Sequence, residues 1–200
     1  GNGVRVLTNI STKDCVVQAD QNEDASGIIE ISASSTLSVS GTRATLTGSD
    51  IYLDGWLNAS LGDLRIEPAK SKGTARIGET VTTADMKISR DELDRLIAKK
   101  FIYGGKQAGD IKVGRLYQGD IHSSIQHVVM AAQTTRSSVI FEAQAGSSFP
   151  GLEVRAYDGV IIKSNISTHG LGNIYINGDD NNVADGSYSG PVCPGFFAPS

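Results

Sequence analysis

Short alternations of apolar and polar residues recur along almost the whole chain. Ile28-Ile29-Glu30-Ile31, Leu37-Ser38-Val39, Ile51-Tyr52-Leu53, Leu64-Arg65-Ile66, Ile111-Lys112-Val113, Leu152-Glu153-Val154 and Ile174-Tyr175-Ile176 are examples. Successive side chains of a strand point to opposite faces, so period-2 alternation means one buried and one wet face. The segments recur at spacings of about 8 to 12 residues, separated by turn residues. The 23 glycines, with abundant Ser, Thr, Asn and Asp, supply those turns. A chain of this kind folds as many short strands, not as a helical bundle.

A strand-opening phrase also repeats. Gly109-Asp110-Ile111, Gly119-Asp120-Ile121 and Gly172-Asn173-Ile174 share it, and Gly62-Asp63-Leu64 is a close variant. A repeated phrase points to a repeated structural unit. Two architectures suit many short strands: a sandwich or barrel, and a solenoid whose strands stack in parallel. Asp54-Gly55 and Asn177-Gly178 can serve as hairpin turns, but most links are longer and rich in Ser and Thr. Buried positions are mostly Ile, Val and Leu, and aromatics make up only 6%. Small aliphatic residues stacking on like residues favour the solenoid.

One segment breaks the alternation. Ser89 to Lys100 reads as a short helix, centred on residues 90–98. Ser89 can cap it and Glu92 completes a capping box. Leu93, Leu96 and Ile97 share one face, with acids leading and lysines finishing. The expected role is a lateral insert packed on the strand stack.

Residues 64–115 carry an ordered pattern. Leu64-Arg65-Ile66-Glu67-Pro68 is followed by Ala75-Arg76-Ile77-Gly78, Met86-Lys87-Ile88-Ser89 and Glu92-Leu93-Asp94-Arg95-Leu96. Phe101-Ile102-Tyr103-Gly104-Gly105 and Ala108-Gly109-Asp110-Ile111-Lys112-Val113 come next. This order resembles the repeated module of filamentous-haemagglutinin-type surface adhesins. The resemblance implies an all-β, right-handed parallel β-helix on a secreted, cell-surface protein, working as a structural or adhesive element rather than an enzyme. Tyr103-Gly104 stands where Ile-Gly is usual in that module, and two cysteines stand where such proteins usually have none.

Other partners and chemistries were weighed on the residues. With 18 basic and 22 acidic residues, the net charge of -4 gives no basic face for nucleic acid. No apolar run approaches the roughly 20 residues of a membrane span. His122, His127 and His169 show no metal-ligand spacing, and Asp179, Asp180, Asn181 and Asp185 read as a solvated turn. No cofactor is expected. Asp110, Lys112, Arg115 and Asp120 can cluster on stacked coils, as a polysaccharide lyase or hydrolase would need. Tyr52, Trp56 and Tyr117 are the candidates for a carbohydrate-binding platform, and surface glycans are the corresponding partners.

The expected organisation is an N-terminal strand and cap over residues 1–20, a β-helix over 21–186 and a Pro/Gly-rich tail over 187–200. About 8 to 10 coils at roughly 4.8 Å give a rod on the order of 40 Å long. Cys15 and Cys193 would then lie far apart, which favours pairing between subunits joined head to tail. Phe196 and Phe197 in the tail are the expected subunit contacts, either on a neighbour or folded back as a cap. Asn9, Asn58 and Asn165 each open an N-x-Ser sequon, so N-glycosylation of a secreted chain is open at all three.

Overall fold

The computed structural model describes residues 3–22, 26–78, 84–142, 146–170 and 172–180. The fold is all-β, with parallel sheets and one short helix. It is best followed level by level. The first level holds β1 (Gly3–Val6), β2 (Ile10–Thr12) and β3 (Cys15–Gln18). The second holds β4 (Ile28–Ile31), β5 (Thr36–Val39) and β6 (Arg43–Gly48), each paired in parallel with its predecessor below. The third holds β7 (Asp50–Leu53), the long β8 (Trp56–Pro68) and β9 (Gly73–Ile77). Residues 3–18 are thus the first level of the same stack.

An excursion follows, made of β10 (Met86–Ile88) and α1 (Arg90–Leu93). The stack resumes with β11 (Leu96–Gly105) on β8 and β12 (Ala108–Val113) on β9. Above them lie β13 (His127–Ala132), β14 (Ser138–Phe141) and β15 (Ser147–Phe149). Then come β16 (Leu152–Ala156), β17 (Gly159–Ile162) and β18 (Ile166–Thr168), and last β19 (Ile174–Asn177). The main sheet runs β2-β5-β8-β11-β13-β16-β19. Among the described residues that makes seven levels, about 29 Å from first to last at roughly 4.8 Å per step. The excursion adds no level to this sheet, and residues 114–126 contribute one isolated bridge, Leu116 to Ser147, and no strand.

Register stacks like on like. One column runs Cys15, Ala44, Leu64, Phe101, Val128, Leu152, Ile174. A second runs Val17, Leu46, Ile66, Tyr103, Met130, Val154, Ile176. Interior members of both are fully buried and belong to one continuous core. Burial of each Leu, Ile or Val contributes about 1.5–3 kcal/mol, so the columns dominate the energetics. The strand-opening glycines have a steric cause. A Cβ on Gly62 would collide with the Thr42 carbonyl of the level below, and one on Gly109 with that of Lys72. Gly119-Asp120-Ile121 breaks the analogy: it lies in a turn and opens no strand.

The helix is shorter than the sequence pattern predicts. It ends at Leu93, and Leu96, Ile97 and Ala98 belong to β11 instead. The capping box forms as expected, with Ser89 Oγ accepting the Glu92 N–H and the Glu92 carboxylate accepting the Ser89 N–H at 2.8 Å. Leu96 then stacks on Leu57 and Ala98 on Ala59, a period-2 placement that the spacing of Leu93, Leu96 and Ile97 concealed. A ladder shared along β8 outweighs another turn of an isolated helix, which is marginal in itself.

The excursion also closes a sheet edge. β7 ends the β1-β4-β7 sheet, and side chains from the insert satisfy its outer backbone groups. Leu53 N–H donates to Glu92 Oε1 at 3.2 Å, and Arg95 Nη1 donates to the Leu53 carbonyl at 2.8 Å. Asp50 Oδ1 accepts the N–H of Ile51 at 3.0 Å and of Lys87 at 2.9 Å. Burial pushes the Asp50 carboxyl up. Tyr103 ties the insert from inside. Its buried hydroxyl reaches the carbonyls of Arg76 at 2.9 Å and Met86 at 3.2 Å, bridging β9 and β10. An Ile at this position has no such polar reach.

Candidate functional site

The main irregularity of the side wall is a cleft between α1 and the segment 114–126. That segment makes no strand, and Asp120 fastens it to α1. Asp120 Oδ2 accepts the Tyr117 N–H at 2.6 Å, and its two oxygens pair with Arg90 at 2.7 and 2.9 Å. The Arg90 guanidinium also lies 4.6 Å from the centre of the Tyr117 ring, and that of Arg115 lies 5.6 Å away. Arg115 Nη1 donates to the Tyr117 hydroxyl at 2.8 Å. Such cation–π and ion-pair contacts, partly shielded, hold the segment in one shape.

Trp56 forms the opposite wall. It opens β8, is 40% exposed, and donates its backbone N–H to the Ser35 carbonyl at 3.1 Å. Its ring meets His122 edge to face, with centroids 6.1 Å apart and planes at 86°. His122 Nδ1 accepts the Ser124 N–H at 3.2 Å, so the neutral ring carries its hydrogen on Nε2. Around Trp56 an open cavity of about 290 Å3 is completed by Arg90, Asp91, Asp94, Arg95 and Asp120. Gly119 belongs both to this cavity and to a wider cleft of about 750 Å3, lined by Ile121, His122, Ile125, Pro150 and His169.

The sequence-predicted residues divide. Arg115 and Asp120 meet at Tyr117. Asp110 and Lys112 stay on β12, where Asp110 Oδ1 accepts the Ser138 N–H at 2.9 Å. Tyr117 is partly covered by two guanidinium groups, and Tyr52 is exposed on β7 outside the cleft. Arg90, Asp91, Asp94 and His122 were not singled out from sequence as neighbours of Trp56. The isolated tryptophan was the only local signal. His127 lies 3.5 Å from Glu153, whose carboxylate also faces Lys100 and Arg155. Burial pushes the Glu153 carboxyl up, but Arg155, Lys100 and His127 together outweigh it and hold it below the usual range. His169 Nδ1 lies 3.1 Å from the Ser148 hydroxyl. Asp180 accepts Gln133 Nε2 at 2.7 Å in a turn, while Asn181 and Asp185 lie outside the described residues. Among the described residues no three His, Cys, Asp or Glu side chains converge to hold a metal ion, and no helix is long and apolar enough to cross a membrane.

The two ends of the stack differ from its middle. Ile10 sits under buried Leu37 yet is 41% exposed, because no described strand lies beneath it. Ile174 sits over buried Leu152 and is also 41% exposed; Ile162 sits over buried Phe141 and is 48% exposed. Cys15 ends its column at the lower face, where partial burial pushes its thiol up. Cys193, Phe196 and Phe197 lie outside the described residues. The sequons differ in setting: Asn9 and Asn165 are exposed, whereas Asn58 is half-buried within β8. No protein-family model, curated protein or solved structure matches the chain.

Proposed function

We propose that this chain is a right-handed parallel β-helix of the filamentous-haemagglutinin type. In this reading it is a secreted, non-catalytic structural or adhesive element that lengthens by stacking end to end with copies of itself. The right hand follows the general preference of parallel crossovers. The observation that carries the reading is the pair of stack ends, which no described residue covers. Ile10 on one face and Ile162 and Ile174 on the other are core residues by register but not by burial. Among the described residues each end finishes in parallel strand edges, which invite pairing. A lower face laid on an upper face continues every apolar column, and a head-to-tail contact of this kind does not close. Cys15 sits in that lower face, where a stacked neighbouring subunit would meet it.

Electron microscopy and sedimentation velocity on native material test this. Rods that lengthen by about 34 Å per subunit, seven levels at roughly 4.8 Å each, are expected, with mass rising with concentration. Ile174→Lys should leave single short particles with an unchanged melting temperature. Particles that stay single at every concentration, or rods indifferent to Ile174→Lys, refute end-to-end stacking.

A further inference from the structure

We infer that the cleft between Trp56 and α1 is a binding site for a neutral saccharide, engaged through one pyranose ring. The inference deepens the adhesive reading and depends on it only for its biological use, since the cleft lies on the side of the stack rather than at its ends.

Four observations converge. First, aromatic surface is available: Trp56 is 40% exposed and lines the cavity. The C–H face of a pyranose packs on such a ring, burying apolar surface on both sides. Second, hydrogen-bond acceptors stand beside it. The carboxylates of Asp91 and Asp94 are exposed in the same cavity and have no partner among the described residues. Sugar hydroxyls are donors that a carboxylate accepts strongly. Third, the cations of the cavity are already engaged. Arg90 is held by Asp120, and Arg95 by the Leu53 carbonyl. A sulfated or phosphorylated ligand would meet the exposed carboxylates of Asp91 and Asp94, which disfavour it. Fourth, the cleft is pre-formed by backbone ladders and ion pairs, which lowers the ordering cost of binding.

Trp56 is the only tryptophan in the chain, so its fluorescence reports on this cleft and nothing else. The protein is titrated with galactose, glucose, N-acetylglucosamine, lactose and cellobiose, each to about 20 mM, with a sulfated heparin hexasaccharide and hexalysine as charged controls. Ile174→Lys protein is used alongside the parent, so that failure of end stacking and failure of the cleft are read separately. The expected result is a saturable change with at least one neutral sugar, with Kd about 1 mM or tighter, equal in both proteins. Asp91→Asn with Asp94→Asn should weaken it at least tenfold, while the circular dichroism spectrum stays the same. Amide shifts should be confined to residues 56, 90–95 and 118–122. No saturable change with any neutral sugar, binding of the charged controls alone, or affinity unchanged in the double variant each overturns the inference.

Discussion

Replacing Tyr103 with Phe isolates what one buried hydroxyl does for the excursion. The ring would stay in its column between Ile66 and Met130, so no cavity opens. What goes is the hydroxyl contact to the Arg76 and Met86 carbonyls, at 2.9 and 3.2 Å in a fully buried site. A net hydrogen bond contributes about 0.5–1.5 kcal/mol, and leaving a buried acceptor unmet costs about 1–3 kcal/mol. The expected loss is therefore about 1–3 kcal/mol. For a chain of this length that is a fall of roughly 2–4 °C in melting temperature per kcal/mol. Tyr103→Ile, which installs the residue usual in the adhesin module, adds lost ring packing and should cost about 2–4 kcal/mol. Equilibrium urea unfolding measures the loss, and hydrogen exchange locates it. Amide protection should fall first in β9 and β10, because the two carbonyls belong to those strands. A Tyr103→Phe loss below about 0.5 kcal/mol, within the range of a neutral change, would show that the hydroxyl does not hold the insert. So would a loss of protection spread evenly over the stack. A pH titration gives an independent check. Burial, then the charge of Asp50, raise the Tyr103 hydroxyl well above its ordinary value, against a smaller opposing effect of its bond to Arg76. The folded chain therefore keeps this proton when the unfolded chain loses it, and stability falls above about pH 10. That fall should be smaller in Tyr103→Phe.

Three further outcomes follow from the same geometry. The lowered Glu153 carboxyl contributes stability above its unfolded value that is lost as acid titrates it. The advantage of the parent over Glu153→Gln, about 0.5–1 kcal/mol at pH 7, should therefore shrink as pH falls below the ordinary carboxylate value of about 4.3. Asp50 and Glu67, both raised by burial, run the other way, costing less as pH falls, and partly offset that slope. Gly62→Ala drives a Cβ into the Thr42 backbone and should cost about 1–3 kcal/mol in thermal unfolding. Gly178→Ala meets nothing closer than 3.6 Å and should stay within about 0.5 kcal/mol. In a eukaryotic secretory host, peptide mass spectrometry should find glycan at exposed Asn165 and little at Asn58, which lies within a strand with Oδ1 held by the Ser60 N–H. Higher occupancy at Asn58 would contradict its placement in β8.

Alternation of apolar and polar residues was enough to make the protein all-β and to mark its buried positions, and the Ser89–Glu92 capping box was enough to place the start of α1. Those properties are local: period 2 is written in neighbouring residues, and so is the Ser89–Glu92 capping box. The tertiary structure decided which strands lie on which, because partners such as Leu64 and Phe101 are separated by an intervening strand, a loop and the insert. It also decided that Leu96 to Ala98 join β11 rather than α1, since a ladder with β8 is absent from any local window. The cleft belongs wholly to this second class. Trp56, Arg90 and His122 come from three segments that share no sequence pattern, and only the stacking of levels brings an indole, a guanidinium and an imidazole to one wall.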